Sequence, residues 1–287
     1  MDPLNVTFDL TNLQCLDEGD GPGNAEPYLW TVFFKIDGST VSVNSKLMLE
    51  GSASVFSTPG NHGDLPNHDV AAGERVAIPR SLGHFQTRLL PIPVKPLPGR
   101  AVGGVVGSLA VLMEEDSTPD DAIASGHAAL NKALRDQLDK LIPTLGISKQ
   151  SPSDDDLKKL EDQISAAVTA AVSDNVSFWD AVWGVISFGN SQDDQVGTAK
   201  FFFSHDQLAA SAGKPIPLQQ HWTNEGDWIL NGSVSVTKRL YDAVWRPGTS
   251  GEVQFYDQGH SDHQKHYDDL WPKNYRIALL NTYEVGA

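Results

Sequence analysis

The chain has 287 residues, of which 40% are apolar and 20% are charged, and its net charge is −16. This composition is typical of a globular protein that buries a sizeable core. The acidic excess disfavours binding to nucleic acid and direct attraction to anionic lipid, because both present negative phosphates. No apolar run reaches the ~18 residues that a membrane-spanning helix needs.

Two features bear on the cellular compartment. The first ten residues, MDPLNVTFDL, contain no basic segment followed by an apolar one, so they predict no secretory signal. The single cysteine, Cys15, excludes an internal disulfide framework. These features predict a cytoplasmic protein, or one exported without a cleaved signal peptide.

The first fifty residues carry the patterns of antiparallel strands. Val6–Leu13 alternates apolar and polar residues with a period of two, which is typical of a half-buried strand. Tyr28–Ile36 is rich in aromatic and β-branched residues, which favour strands. The Asp-Gly-Ser turn at 37–39 predicts a hairpin whose second arm is Thr40–Leu49.

A long loop and further strands follow. Residues 50–73 are rich in Gly, Ser, Asn, His and Pro, as loops are. Glu74–Ile78 and His84–Pro91 have the character of short strands. Ala101–Met113 consists mostly of small and β-branched apolar residues, which predicts a central strand that packs closely at its glycines.

After the central strand the apolar period lengthens to three or four residues, which predicts two helices. Hydroxyl, proline and acidic residues at 117–121 form a start signal for the first helix. Ser153, followed by three aspartates, does the same for the second. We expect an α-helical hairpin inserted at 118–180, in which His127 is a core histidine rather than a ligand.

The last third of the chain returns to strand patterns beyond residue 192, with a loop at 204–217. These strands are predicted at Asp193–Phe203, His221–Trp228, Ser233–Leu240, Glu252–Tyr256 and Tyr275–Val285. Asn231-Gly232 is a plausible hairpin turn between two of them. The sequence therefore predicts a mainly β fold, a single antiparallel β-sandwich domain over residues 1–287 that carries the helical hairpin.

The most informative stretch is the acidic, glycine-rich loop LDEGDGPGNAEP at 16–27, which runs into the strand that begins at Tyr28. Its carboxylates lie on a tight turn beside a rigid strand, which suits the oxygen-ligand preference of Ca²⁺, although ordinary polar turns share this composition. Six residues resemble the first calcium loop of C2 domains in order and spacing: Asp20, Gly23, Glu26, Pro27, Tyr28 and Leu29. Glu26 replaces the aspartate that is usual in that family.

The resemblance to C2 domains implies a second acidic loop at the same end of a β-sandwich. Glu114 and Asp116 have the spacing of its first two acids, and Asp193, shortly before a Val-Gly step, resembles its later part. Residues 120–121 loosely resemble that part too, although they also fit a helix cap. The implied Ca²⁺ ligands are Asp20, Glu26, Glu114, Asp116 and Asp193, with the helical hairpin inserted within the second loop.

A second candidate constellation lies near the C-terminus, where His260, His263 and His266 recur every three residues. In a helix they would lie along one drifting face, and neutral imidazoles bind zinc and other transition metals. The alternative is a polar loop before Trp271. The sequence contains no Gly-x-Ser-x-Gly, P-loop or His-Glu-x-x-His motif.

The leading functional prediction is a non-enzymatic, calcium-dependent binding module that engages a membrane surface or a protein partner through its acidic loops. A metal-dependent hydrolase using the region of His260, His263 and His266 is one alternative. A structural or toxin-associated component that docks through the helical hairpin is another. The oligomeric state is left open.

Overall fold

The computed structural model describes residues 1–19, 23–57, 63–115, 120–149, 152–173, 178, 180, 194–211, 213–247 and 252–286. Of the described residues, 48% lie in strands or bridges and 27% in helices, and the strand pairs of both main sheets are antiparallel. The protein is therefore mainly β, as the sequence predicted.

The secondary-structure elements in the described residues are numbered along the chain. The strands are β1 (Leu4–Asp17), β2 (Pro27–Ile36), β3 (Val41–Val43), β4 (Leu49–Gly51), β5 (Ser54–Phe56), β6 (Arg75–Ala77), β7 (His84–Leu89), β8 (Ile92–Pro93), β9 (Ala101–Val102), β10 (Val105–Glu114), β11 (Asp194–Ser204), β12 (Ile216–Trp222), β13 (Asp227–Pro247), β14 (Val253–Gln258) and β15 (Tyr275–Gly286). The helices are α1 (Arg80–Gly83), α2 (Asp120–Leu141), α3 (Asp154–Ser173), α4 (His205–Ala210) and α5 (His260–Leu270), with a 3₁₀ turn at Ile142–Thr144.

Two sheets carry most of these strands. In the large sheet, β13 pairs with β12 and β1 through its first half and with β14 and β15 through its second half. The far side of β1 pairs with β6 and β7. The second sheet has four strands in the order β11-β10-β2-β5.

Strand β2 lies at the centre of the protein, and all ten of its residues are buried. Leu29 and Phe33 face the large sheet, where the ring of Phe33 lies 5.8 Å from that of Phe8. Trp30 and Phe34, on the opposite face of β2, belong to a second core. A strand covered on both faces reads as a continuous apolar run rather than an alternating one, which explains its composition.

The second core is closed by helices α2 and α3, which follow β10 in the chain and precede β11. The two helices contact each other, and leucines such as Leu134 and Leu160 face the four-stranded sheet. Ser153 begins α3 as predicted, because its hydroxyl accepts from the N–H of Asp156 at 3.3 Å while the Asp156 carboxylate accepts from the N–H of Ser153 at 3.0 Å. The molecule thus has three layers, namely the large sheet, the four-stranded sheet and the helices.

Residues 238–247 and 252–286 form an extension that we call the C-terminal ribbon. It consists of the second half of β13 with β14, α5 and β15. Its core is small, with Ala243, Trp245 and Leu270 buried and Tyr267 packed edge-on at 5.7 Å from the Trp245 ring.

The predicted hairpin between Tyr28–Ile36 and Thr40–Leu49 is wrong. Strand β2 pairs with β10 on one side and β5 on the other, so neither of its edges is open to the following residues. Residues 41–51 form instead a small sheet of their own, β3 with β4. A strong local turn signal is overridden here by non-local strand pairing.

The predicted turn at Asn231-Gly232 is also wrong, because both residues lie within β13. A Cβ atom on Gly232 would lie 2.5 Å from the carbonyl oxygen of Asp9, so this glycine allows β13 to approach β1 closely. The hairpin turn is at 223–226, where Gly226 adopts a φ of 92°. The loop predicted at 204–217 contains α4. At the start of this helix the Ser204 hydroxyl accepts from the N–H of Gln207, and the Gln207 side chain accepts from the N–H of Ser204.

Candidate functional site

Six strand ends meet at one end of the sandwich, which we call the acidic end. Strand β1 ends there and β2 begins, β10 ends and β11 begins, and β12 ends and β13 begins. The sequence places carboxylates at or next to most of these ends, since polar residues are favoured where the chain turns in solvent.

In the four-stranded sheet, strand register fixes which acidic residues become neighbours. Glu114 stands opposite Pro27 on β2 and opposite Asp194 on β11. The N–H of Glu115 donates to the carbonyl of Glu26 at 3.0 Å. The backbones of Glu26, Glu114 and the start of β11 therefore lie side by side, although more than 75 residues separate the first two in the chain.

The predicted calcium ligands are only partly covered by the described residues. Glu26 is exposed and Glu114 is half-buried, and their backbones are neighbours. Asp20, Asp116 and Asp193 lie outside the described residues. Across the part of the chain that is described, no three His, Cys, Asp or Glu side chains are grouped to hold a metal. Two carboxylates supply too few oxygens for Ca²⁺, which takes about six to eight, so the calcium site stays a prediction.

The large sheet contributes a second group of acidic residues that sequence patterns did not single out. Asp17 stands opposite Asp227 in the register of β1 and β13, and His221 Nε2 lies 2.5 Å from Asp227 Oδ1. A shallow cleft of about 500 Å³ at this point is lined by Asp17, Gly19, Thr223, Glu225, Gly226 and Asp227. The sequence did not predict this cleft, because the hairpin turn was placed at Asn231-Gly232. The Asn-Glu-Gly run at 224–226, whose residues are common in turns, could have located it.

Residues 63–74 cross the acidic end and fasten the second half of the acidic loop. The N–H of Leu29 donates to the carbonyl of Gly63 at 2.9 Å, and Ala25 and Val70 exchange two backbone hydrogen bonds of 3.0 and 2.9 Å. A Cβ atom on Gly63 would lie 2.7 Å from the Leu29 carbonyl oxygen, so only glycine permits this approach. The loop therefore enters β2 in a fixed orientation.

Cys15 lies beside this end but is fully buried between the sheets. Burial, and then the negative charges of Glu18 and Asp17, raise the pKa of its thiol to about 11. The thiolate is the nucleophilic form, so this cysteine is not a catalytic residue at neutral pH. The folded state keeps the thiol proton to a higher pH than the unfolded state does. The contribution of this thiol to the free energy of unfolding is therefore fully present below the ordinary thiol pKa and is lost as pH rises through about 11.

We expect the folded protein to react negligibly with a disulfide thiol reagent at pH 8, and one thiol per chain to react after denaturation in guanidinium chloride. The reaction is followed by absorbance of the released thiolate. Rapid, stoichiometric reaction of the folded protein would show that Cys15 is accessible and would contradict the structure.

The three C-terminal histidines lie on helix α5 and not in the polar loop that was the alternative. His260 Nδ1 lies 3.3 Å from the Tyr241 hydroxyl, and the His263 ring stacks on the Tyr241 ring at 4.8 Å. The His266 ring stacks on Phe255. Burial, and then the neighbouring His260 and His266, lower the pKa of His263. These contacts pack α5 against β13 and β14. The hypothesis that the three histidines bind a transition metal stays a prediction.

His127 is a core histidine, as predicted. Its Nε2 lies 3.1 Å from the carbonyl oxygen of Thr31, and its ring stacks on Trp30 with 6.0 Å between centroids. The residue is buried where α2 packs on β2, so its contact with the Thr31 carbonyl joins the helical layer to the sheet.

Comparisons of the chain with protein-family models, with characterised proteins and with solved structures find no match. Among the described helices, none combines the length and the apolar character needed to cross a membrane. The function is therefore inferred from the chemistry of the acidic end.

Proposed function

We propose that the protein is a calcium-dependent binding module of C2-like type, which engages a membrane surface or a protein partner through the acidic end. The observation that carries the proposal is the register that makes the backbones of Glu26 and Glu114 neighbours at one sheet end. Asp17 and Asp227 lie at the same end of the large sheet.

Calcium is the cation that best suits such a donor set. It takes carboxylate and carbonyl oxygens in flexible geometry, and here the donors come from loops rather than from one rigid element. In the proposed site Glu26 and Glu114 bind the ion together with Asp20, Asp116 and Asp193. Without a cation, close carboxylates repel one another, and a bound divalent ion offsets that repulsion.

The proposed site also gives a role to the long connection between β10 and β11. These strands pair directly, from Val105 with Ser204 to Glu114 with Asp194, and α2 and α3 occur between them. In our proposal α2 and α3 form a helical hairpin inserted into the second acidic loop. Their packing on the four-stranded sheet supports this, because it places the inserted helices on that sheet's outer face.

The net charge of −16 supports a calcium-dependent contact over a permanent one. An anionic surface would repel this protein in the absence of the ion, and the repulsion would be greatest at the acidic end. Bound calcium reverses the local charge, so the same surface becomes attractive when calcium is present.

We expect chelator-treated protein to bind Ca²⁺ with measurable heat and to unfold at a temperature several degrees higher in millimolar Ca²⁺. Ligand at 100 times its Kd stabilises a folded protein by about 2.7 kcal/mol. The double variant Glu26→Gln/Glu114→Gln should lose most of this effect, and Glu252→Gln, just before the distant β14, should retain it. Isothermal titration calorimetry and thermal unfolding provide the two measurements.

The absence of both heat and stabilisation in the wild-type protein would contradict the calcium proposal. If calcium binds, sedimentation with anionic and with uncharged lipid vesicles, each with and without Ca²⁺, separates the two kinds of partner. Calcium-dependent sedimentation with anionic vesicles alone indicates a membrane surface. Calcium binding without sedimentation indicates a protein partner.

A further inference from the structure

A cleft of about 660 Å³ lies between helix α3 and helix α5 of the C-terminal ribbon, and we call it the α3–α5 cleft. The buried side chains of Val102 and Leu157 form an apolar part of its lining, and both helices supply charged side chains. None of its lining residues belongs to the acidic end. A volume of this size accommodates a small organic molecule.

The buried carboxylate of Glu161, on α3, lines this cleft. Glu161 is 1% exposed, and its Oε1 accepts from the N–H of Asp206 at 3.1 Å. A Cβ atom on Gly103 would lie 2.3 Å from Oε2, so glycine at this position lets the carboxylate pack against the backbone. Within the described parts of the chain, Glu161 forms no ion pair and Oε2 accepts no hydrogen bond. A buried carboxylate is costly without a cation, so this group favours a positively charged ligand.

The cationic side chains of the cleft are already paired with carboxylates. The pairs are Arg100 with Asp154, Lys158 with Asp162 and Asp206, and Lys265 with Asp262. Lys158 precedes Glu161 by one turn of α3, but its Nζ lies 2.9 Å from Asp162 Oδ1 and 3.0 Å from Asp206 Oδ2. None of these pairs joins α3 to α5, so the two walls of the cleft are not linked by them.

Asp268, on α5, brings a second carboxylate to the opposite wall. Its Oδ1 accepts from the side-chain amide of Gln264 at 2.9 Å, and it forms no ion pair with any described residue. Among the Asp, Glu, Lys and Arg side chains that line the cleft, those without an ion-pair partner are therefore both negative. They lie on different walls and are not grouped to hold a metal ion, which favours an organic cation whose charges are spaced apart.

We propose that the α3–α5 cleft binds a small aliphatic diamine or polyamine. One ammonium group donates to Glu161 and another donates to Asp268, so the ligand joins α3 to α5. The hydrocarbon segment between the two ammonium groups lies against Val102 and Leu157. Hydrogen bonds between ammonium and carboxylate are charge-assisted, and the one to the buried Glu161 is screened little by salt. This binding does not depend on calcium at the acidic end.

Isothermal titration of the full chain with putrescine, in the presence of chelator, is the first test. We expect one putrescine molecule per chain. Butylamine has the same four carbons and a single ammonium group, so it should bind at least about tenfold more weakly. The absence of binding by both putrescine and spermidine at concentrations up to about 10 mM, beyond the range of weak specific ligands, would overturn the proposal.

The second test removes the buried charge. Glu161→Gln keeps an oxygen that accepts from the Asp206 N–H but carries no charge, so it should raise the Kd for putrescine about tenfold or more. Asp155→Asn, at an exposed aspartate of α3 outside the cleft, is the matched control and should leave the Kd unchanged. Circular dichroism confirms that both variants are folded. Equal weakening by the two variants would show a response to net charge alone and would overturn the proposal.

The third test combines a surface variant with both ligands. Asp268→Asn should weaken putrescine binding about tenfold and leave butylamine binding unchanged, because the single ammonium group of butylamine occupies Glu161. Asp269→Asn, at the exposed neighbouring aspartate that pairs with Lys273, is the control and should change neither. If Asp268→Asn affects both ligands by the same factor, or neither of them, the second ammonium group does not bind Asp268 and the bridging proposal is wrong.

Discussion

Replacing Asp37 by alanine is expected to lower the free energy of unfolding by about 3–5 kcal/mol, because it leaves a buried cation unpaired. The Asp37 carboxylate is fully buried and accepts from Lys35 Nζ at 2.9 Å, from the N–H of Leu90 at 2.9 Å and from the N–H of Ser39 at 3.1 Å. Lys35 also donates to the carbonyl of Arg88 at 2.9 Å. This network joins the end of β2 to the end of β7 in the other sheet.

Chemical denaturation monitored by circular dichroism measures the effect. Asp269→Ala, which removes the exposed ion pair with Lys273, is the matched control and should cost well under 1 kcal/mol. Asp37→Asn should fall between the two, since an amide oxygen still accepts hydrogen bonds but carries no charge for Lys35. Equal stability of the Asp37→Ala and Asp269→Ala variants would show that the buried pair contributes nothing specific.

Replacing Trp30 by alanine is expected to lower the free energy of unfolding by about 3–5 kcal/mol, the range for a buried tryptophan. Trp30 is fully buried on the helix-facing side of β2, between His127 and Tyr28, whose ring centroids lie 6.0 and 5.8 Å away. The cavity would open at the junction of the four-stranded sheet with the helices. Hydrogen exchange should therefore accelerate more in α2 than in β1.

Trp271→Ala is the control for this substitution, because Trp271 is 42% exposed and contacts mainly Tyr267 and Arg276. Its loss should cost about 1 kcal/mol, in the range of a single aromatic or cation–π contact. Uniform acceleration of exchange in α2 and β1 by Trp30→Ala would contradict a separate helical layer.

The sequence was informative wherever local chemistry decides the outcome. The alternation in Val6–Leu13 located β1, and the aromatic run at Tyr28–Ile36 located β2. The cap at Ser153 located α3, and the apolar position of His127 was correctly assigned to the core. In each case neighbours in sequence fix the preference, so no knowledge of the fold is needed.

The candidate site was predictable only in part. The resemblance of the acidic loop to C2 domains suggested that Glu26 and Glu114 would meet, and their backbones do. The same patterns gave no indication of the pair Asp17 and Asp227, because the turn before β13 was placed at Asn231-Gly232. Gly232 instead allows β13 to pack closely on β1, and from the sequence alone a glycine in a turn cannot be told from a glycine at a close strand contact.

The amino-acid sequence by itself determined that this protein is mainly β, that two helices separate β10 from β11, and that acidic residues gather near strand ends. Tertiary structure alone decided which edges of β2 are occupied and that the helices form a third layer. The physical reason is the range of the interactions. Strand and helix preferences arise within a few residues, whereas register and layer order depend on contacts between residues that are far apart in the chain.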